Sequence, residues 1–282
     1  MNPHAGGGRA ARRLPGVEAE LRARGVAFHT VQTRSLDHAR ELARAALAAG
    51  ETAVAMGGDG VTGAVAGELR ETDGVLGVIP GGRGNDFARK LGVPMNATAA
   101  VGVVAAGRVR TVDVADAGGH TYLGVASAGL DSDVQRIANG TRLPLGNGVY
   151  VYGTLRALAR WEPADWTVTL DGVEHRFRGY SVSVCNSGVF GAGMHLAPMA
   201  RMDDGLLDVM FNAECSRAHF LSGLARVFRG THVHDFNVSF FTAREVTFSA
   251  DRPFTAYADG DPIVELPATF KVVPDGLRVL VP

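Results

Sequence analysis

Three clusters of glycine, each set among residues able to meet an anion or a metal, carry the chemistry that this sequence offers. They are Asn2-Pro3-His4-Ala5-Gly6-Gly7-Gly8, Gly57-Gly58-Asp59-Gly60 and Gly81-Gly82-Arg83-Gly84-Asn85-Asp86. Glycine lets backbone N–H groups approach phosphate oxygens, and a helix N-terminus behind such a loop adds a favourable dipole. One glycine-rich loop is most often only a turn. Here each falls where a strand hands over to a helix, so all three gather at the carboxyl edge of one parallel sheet, the edge where open α/β sheets bind ligands. Nucleotide phosphate is the ligand expected there. Asp59 either forms the turn or caps the next helix, or it orients Mg²⁺ or an attacking hydroxyl. Asn85 and Asp86 cap a short helix over 87–90, a role compatible with ligand contact, and Arg83 suits a phosphate partner.

The elements that must position these loops follow from hydrophobic periodicity. Ala10, Leu14, Val17 and Leu21 are spaced as one helical face, with Pro15-Gly16 marking a kink or a late start. Residues 26–33 read as a strand, and Asp37 caps a helix whose apolar face is Leu42, Ala43, Ala46 and Ala49. A strand over 52–56, a helix over 62–69 and a strand over 74–79 complete a β-α-β-α order, which implies a parallel sheet with helices on both faces. A phosphate loop normally follows a strand, yet only Met1 precedes the first one, so a strand upstream of Asn2 is expected. Beyond about residue 110 the pattern changes. Strands are read over 121–127, 166–170, 177–185, 206–211, 235–241, 245–248, 254–258 and 277–281, with helices over 134–139, 148–161 and 216–229. The fold class is therefore α/β plus β. Residues 1–112 form a parallel-sheet nucleotide-binding domain, and 113–282 a mainly antiparallel β-sandwich domain.

A chain of 282 residues with 46% hydrophobic and 20% charged residues can bury two ordinary cores. The net charge of −1 gives no general attraction to nucleic acid or anionic lipid, so any basic site must be local and no nucleic-acid partner is expected. Lys90 and Lys271 are the only lysines, which excludes a Walker-type loop. Cys185 and Cys215 lack metal-type spacing and read as reduced thiols of a cytoplasmic protein. No signal peptide and no run of roughly 18 apolar residues is visible, so the chain is expected to be soluble or to touch a membrane only from the side. His232 and His234 alternate without a carboxylate or cysteine cluster and suit a surface or loop better than a metal site.

Taken together, the three loops resemble the catalytic domain of the diacylglycerol kinase and sphingosine kinase superfamily, and the bacterial lipid kinases most of all. The likeness continues through Gly129-Leu130-Asp131-Ser132, Tyr150-Val151-Tyr152-Gly153, Asp203-Asp204-Gly205-Leu206 and Asp259-Gly260-Asp261, in order along nearly the whole chain. Gly-Gly-Asp-Gly alone is weak, being shared with NAD kinases and phosphofructokinases; the full series is specific. The resemblance implies an ATP-binding domain, a β-sandwich domain and a lipid alcohol as substrate, diacylglycerol first among them. It implies nucleotide contacts at Asn2, Pro3, Gly6, Thr33, Gly57, Gly58, Asp59, Gly60, Gly82, Arg83, Asn85 and Asp86. It implies a catalytic base at Asp261, with Asp59 positioning Mg²⁺ or the nucleophile, and a structural Mg²⁺ at Asp204 with backbone oxygens of Arg201 and Leu206. A peripheral, transient contact with the inner membrane face would deliver the lipid, with His195 in the glycine-rich turn 191–198 lining its cleft. The oligomeric state is left open, a homodimer included.

Three departures from the family pattern stand out. The base is usually glutamate, and Asp261 is one methylene shorter. A hydroxyl residue usually follows Gly-Gly-Asp-Gly, where this chain has Val61, and the usual Asn and Glu are replaced by Gly63 and Ala64. Arg83 stands for a threonine, which adds charge. These departures keep three alternatives in view: an NAD-kinase-like enzyme, a sphingoid-base kinase, and a catalytically weak relative that binds lipid or nucleotide.

Overall fold

Apolar runs dictate the first part of the structure, a computed structural model that describes residues 1–141, 148–191 and 193–282. The chain forms two compact units, Met1–Val114 joined by Val273–Pro282, and Ala115–Val272. The first unit contains α1 (Ala5–Ala23), α2 (Leu36–Ala48), β1 (Ala53–Gly57), α3 (Asp59–Leu69), β2 (Val75–Pro80), α4 (Asp86–Lys90), α5 (Ala97–Ala106) and most of β3 (Val109–Ala117). β1 and β2 pair in parallel, from Ala53 against Leu76 to Gly57 against Pro80. Their ends are buried without alternation, as strands covered on both faces must be. Helix α3 buries Val61, Ala64, Val65 and Leu69, while α1 buries Ala10, Val17 and Leu21.

Three local differences from the sequence reading have physical causes. Helix α1 passes through Pro15, and its break falls instead at Gly6, Gly7 and Gly8, whose φ values of 60°, 68° and 80° suit glycine alone. Ser35, not Asp37, caps α2, because its hydroxyl accepts the amide of His38 at 3.1 Å; Asp37 pairs with Arg40 in the first turn. Residues 26–33 form no ladder, since a strand exists only through its partners and the neighbours bonded to this segment are the first residues of the chain. Met1 donates to the carbonyl of Val31 and accepts from the amide of Thr33, both at 2.8 Å. Asn2 donates to the carbonyl of Met56 at 3.0 Å, so Met1 and Asn2 occupy the position expected of a first strand. An apolar groove of about 1050 Å³ runs beside them, lined by Phe28, Val31, Leu42, Val54, Met56 and Val61 among others.

The second unit is built of antiparallel strands with three helices. In order it contains β4 (His120–Tyr122), β5 (Val125–Gly129), α6 (Leu130–Gly140), α7 (Gly148–Leu158), β6 (Ala164–Leu170), β7 (Val173–Cys185), β8 (Val189–Phe190) and β9 (Met194–His195). There follow β10 (Leu207–Ala213), α8 (Arg217–Val227), a 3-10 turn (Thr231–His234), β11 (Val238–Ala243), β12 (Glu245–Ala250), β13 (Thr255–Ala258), β14 (Asp261–Glu265) and the first part of β15 (Ala268–Leu280), as far as Val272. The 13 residues of β7 serve two neighbourhoods. The first half pairs with β6, and the second half lies between β5 and β10. Burial follows this division, alternating over the first half and continuous from Gly179 to Cys185. The strand expected over 121–127 is split into β4 and β5 because the amides of Leu123 and Gly124 bond the Asp259 carboxylate rather than a neighbouring strand. The strand expected from 235 begins at Val238, after the 3-10 turn.

Only the last third of β15 is anticipated by its composition. The strand pairs with β12 over Ala268–Lys271 and then, as part of the first unit, places Arg278 and Val279 parallel to Val75 and Leu76 of β2. The Asp113 carboxylate accepts the Asp275 amide at 2.8 Å, and the Arg108 carbonyl accepts the Val281 amide at 2.9 Å, fixing this return. Residues 273–282 thus group with the first unit, where the sequence reading has one boundary at 112 and gives 113–282 to the second domain. No helix among the described residues is long and apolar enough to cross a membrane.

Trp166 anchors the second core. It is buried, stacks on Phe254 at 5.2 Å between centroids and on Phe177 at 6.4 Å, and its Nε1 donates to the Gly179 carbonyl at 3.2 Å. Trp166→Ala leaves a cavity and an unmet carbonyl, so chemical denaturation should show a loss of about 3–5 kcal/mol; an unchanged unfolding midpoint would place the core elsewhere.

Candidate active site

The three glycine loops converge within the first unit, and main-chain contacts show how closely. The Gly57 carbonyl accepts the amides of both Gly81 and Gly82, at 2.8 and 2.9 Å. A Cβ on Gly82 would lie 2.3 Å from the Gly58 Cα, and one on Gly6 would lie 2.6 Å from the Gly81 carbonyl oxygen. These are backbone-to-backbone approaches that only glycine permits. One on Gly57 would lie 3.4 Å from the Asn2 Cβ and 2.3 Å from a methyl of Val61. Asn2, whose Oδ1 accepts the His4 amide at 3.0 Å, therefore stands beside Gly57. Pro3 and Gly6 continue the same loop.

Asp59 ties the second loop to the third. Its Oδ1 accepts the Asp86 amide at 2.7 Å and the Phe87 amide at 3.3 Å, the first N–H groups of α4. Burial pushes its pKa up, and these amides oppose the shift. Of the two readings of Asp59, the cap is thus realised, though for α4 rather than for its own helix. Asn85, at a φ of 54°, braces the third loop by accepting the Gly82 amide at 2.8 Å and donating to the Gly82 carbonyl at 3.2 Å. Gly60 lies in the first turn of α3, Asp86 opens α4, and Arg83 is exposed at the loop tip. Thr33 is buried, its hydroxyl bonded to the Met1 carbonyl at 3.3 Å, so it positions the start of the Asn2 loop. Val61 is buried against Gly57, and the neighbouring Thr62 supplies a hydroxyl, bonded to the Gly58 carbonyl at 3.1 Å. The unexpected valine is thus a core residue.

In the second unit Asp261 begins β14, directly after the two-residue turn Asp259-Gly260. Both turn residues have positive φ, 50° and 104°, which Asp-Gly supplies in a tight hairpin. The Asp259 carboxylate accepts the amides of Leu123, Gly124 and Val125 at 2.8 to 3.1 Å, and Asn139 of α6 donates to the Gly260 carbonyl at 2.8 Å. The hairpin that carries Asp261 is therefore held on two sides. Partial desolvation pushes the Asp261 carboxyl above the ordinary aspartate range. The sequence reading ends a strand at 258 and sees neither the hairpin nor the anchoring role of Asp259, whose partners lie more than 130 residues away.

The turn expected to hold a metal has Asp204 Oδ1 accepting the Leu206 amide at 3.1 Å and Arg201 bonded to Asp203 at 3.0 Å. One carboxylate with two main-chain carbonyls is a hard-oxygen donor set that fits Mg²⁺ or Ca²⁺ with added water. Among the described residues no three His, Cys, Asp or Glu side chains gather as a metal site.

A cavity of about 140 Å³ opens among α6, α7, α8 and β10, walled by Val134, Val151, Met210, Phe220 and Leu224. Asp131 on its wall escaped the sequence reading, which gave it no role. Its Oδ2 accepts the Ser183 hydroxyl at 3.3 Å, and burial raises its pKa, favouring the neutral acid. His232 also lines this cavity; it is buried, bonded to the Leu196 carbonyl at 2.8 Å, and its pKa is lowered by burial. His234 is exposed, so the two histidines share no face. His195 is exposed and absent from the cavity wall, which takes its neighbours Met194 and Leu196 instead; Ala192 of the same turn lies outside the described residues.

Comparison with known proteins agrees with this geometry. Residues 1–117 match the diacylglycerol kinase catalytic domain, and residues 124–281 match the YegS C-terminal NAD kinase beta sandwich-like domain. A diacylglycerol kinase of Mycobacterium tuberculosis is 37% identical over 100% of this chain and 93% of its own length. One from Bacillus subtilis is 28% identical over 84% of this chain and 80% of its own. The crystal structure of a diacylglycerol kinase from Bacillus anthracis shares the fold, with a TM-score of 0.77 at 21% identity, covering 100% of this chain and 94% of that one. With residues 1–117 and 124–281 matched to these two models and a 37% identical relative covering the whole chain, the chain belongs to the diacylglycerol kinase family of lipid kinases.

Proposed function

We propose that this protein transfers the γ-phosphoryl group of ATP to the hydroxyl of a lipid alcohol, diacylglycerol in the first place, giving phosphatidic acid. The observation that carries the reading is the meeting of three glycine loops around one buried carboxylate. Glycine-only backbone approaches leave main-chain amides free of side-chain cover, and such amides suit phosphate oxygens. Arg83, exposed on the third loop, adds a guanidinium for a phosphate. The family match supports ATP as donor, and the apolar cavity beside Asp131 supports a substrate with an acyl chain.

In the step itself the lipid oxygen bonds to the γ-phosphorus, the bond to the β–γ bridging oxygen breaks, and ADP departs. Asp261 accepts the proton of the attacking hydroxyl, while the loops and Arg83 stabilise charge on the transferring group. Asp59 keeps the two loops in register for that task. A divalent cation supplies charge neutralisation on the phosphates, and the Asp204 turn with the Arg201 and Leu206 carbonyls would hold a structural ion.

The direct test is transfer of labelled phosphate from ATP to a panel of diacylglycerol, monoacylglycerol, sphingosine and NAD. Label in phosphatidic acid is expected, and no label in any lipid alcohol overturns the proposal. Asp261→Asn should abolish transfer while ATP binding, followed by calorimetry, survives; undiminished turnover would move the base elsewhere. The sign of the pH dependence follows from the raised carboxyl. Asp261 must be ionised to accept a proton, so kcat/KM should fall as pH drops through its pKa, with the acid limb lying above the range of an ordinary aspartate. Gly82→Ala should push Gly58 and Gly82 apart, lower ATP affinity about tenfold and cost about 1–3 kcal/mol of stability.

A further inference from the structure

Two segments of the second unit carry basic residues and no acid. Residues 148–161 contain Arg156 and Arg160, and residues 215–234 contain Arg217, Arg226 and Arg229, without one Asp or Glu in either. In a chain of net charge −1 this is a local excess of positive charge. The segments are joined in space, because Arg217 at the start of α8 donates to the carbonyls of Ala159 and Trp161 just past α7, at 3.3 and 3.1 Å. Arg226 is neutralised by Asp235 at 2.7 Å, while Arg156, Arg160 and Arg229 are exposed.

The same surface is apolar to an unusual degree. Helix α8 carries Phe220, Leu221, Leu224 and Val227, yet none of its residues is buried. Val151 and Leu155 lie one turn apart on α7 and are both about half exposed, as is Phe228 at the end of α8. Phe236 is 79% exposed, its ring 4.8 Å from that of His219 on α8. Val151 and Phe228 also line the 140 Å³ cavity, so its mouth opens on this surface. Large apolar side chains around the cavity mouth, flanked by arginines, combine the two terms that hold a protein at an anionic bilayer.

We infer that the α7–α8 surface docks on the face of a bilayer rich in anionic lipid and presents the cavity mouth to it. Leu155, Phe228 and Phe236 enter the acyl boundary, and Arg156, Arg160 and Arg229 meet the lipid phosphates. The docking rests on the lipid-kinase reading for its purpose, but it is measured separately. The full chain is sedimented with vesicles of phosphatidylcholine alone and of phosphatidylcholine with an equal share of phosphatidylglycerol. Binding to the anionic vesicles and its weakening by salt are expected. The double variant Leu155→Glu/Arg156→Glu, and separately Phe236→Glu, should lower that binding about tenfold or more, since both change exposed residues outside the cavity wall.

Phosphorylation of dispersed short-chain dioctanoylglycerol should be unchanged in both variants, while phosphorylation of vesicle-held diacylglycerol falls with binding. Equal binding to both vesicle types, or variants that bind as the parent does, overturn the docking surface. A parent chain that binds anionic vesicles but phosphorylates no lipid overturns the kinase reading and leaves the surface standing.

Discussion

One carboxylate oxygen governs the nucleotide half of this protein. Asp59 sits at the end of β1, and its Oδ1 is claimed by two amides that open α4, at the end of β2. That oxygen converts two independent strand ends into a single surface. The glycines are the condition for it, since a side chain on Gly82 would strike the Gly58 backbone and one on Gly84 would lie 2.8 Å from Asp59 Oδ2. The arrangement explains why an acid stands among glycines. It satisfies buried donors at a helix start, where an unmet amide would cost about 1–3 kcal/mol.

The second half repeats the device with a different partner. Asp259 gathers the amides of Leu123 and Gly124 in the β4–β5 connection and of Val125 at the start of β5, and in doing so fixes the hairpin that carries Asp261. Gly124 is bound into the same contact, for a Cβ there would lie 2.3 Å from Asp259 Oδ1. In both units a candidate site is held by a neighbouring carboxylate whose own contacts are structural. Preorganisation of this kind suits phosphoryl transfer, where positioning and electrostatics supply most of the catalysis.

Much of this was legible in the sequence, and for physical reasons. Glycine clusters after apolar runs marked the loops, because few residues tolerate such backbone approach. Continuous apolar runs marked β1 and β2, and strand composition marked β6, the second part of β7 and β13, while the Asp-Gly turns that close the β6–β7 and β13–β14 hairpins went unread. What escaped depended on partners distant in the chain. Residues 26–33 have strand composition but no ladder; Val61 looked like a lost hydroxyl and is a core residue; Asp131 gave no sign of its burial. The preference for Ser35 over Asp37 as a cap turned on which side chain had an arginine within reach.

The path of β15 has a consequence for how the protein is made. Strand β2 lies between β1 and the end of β15, and that end comes from the last ten residues of the sequence. During synthesis the first unit therefore emerges with one edge of β2 unpaired and stays so while the second unit is translated. An open edge of apolar strands is a site for mispairing. Arg278 and Val279 act as a closing seam on the sheet whose strand ends carry the glycine loops, although they come from the opposite end of the sequence.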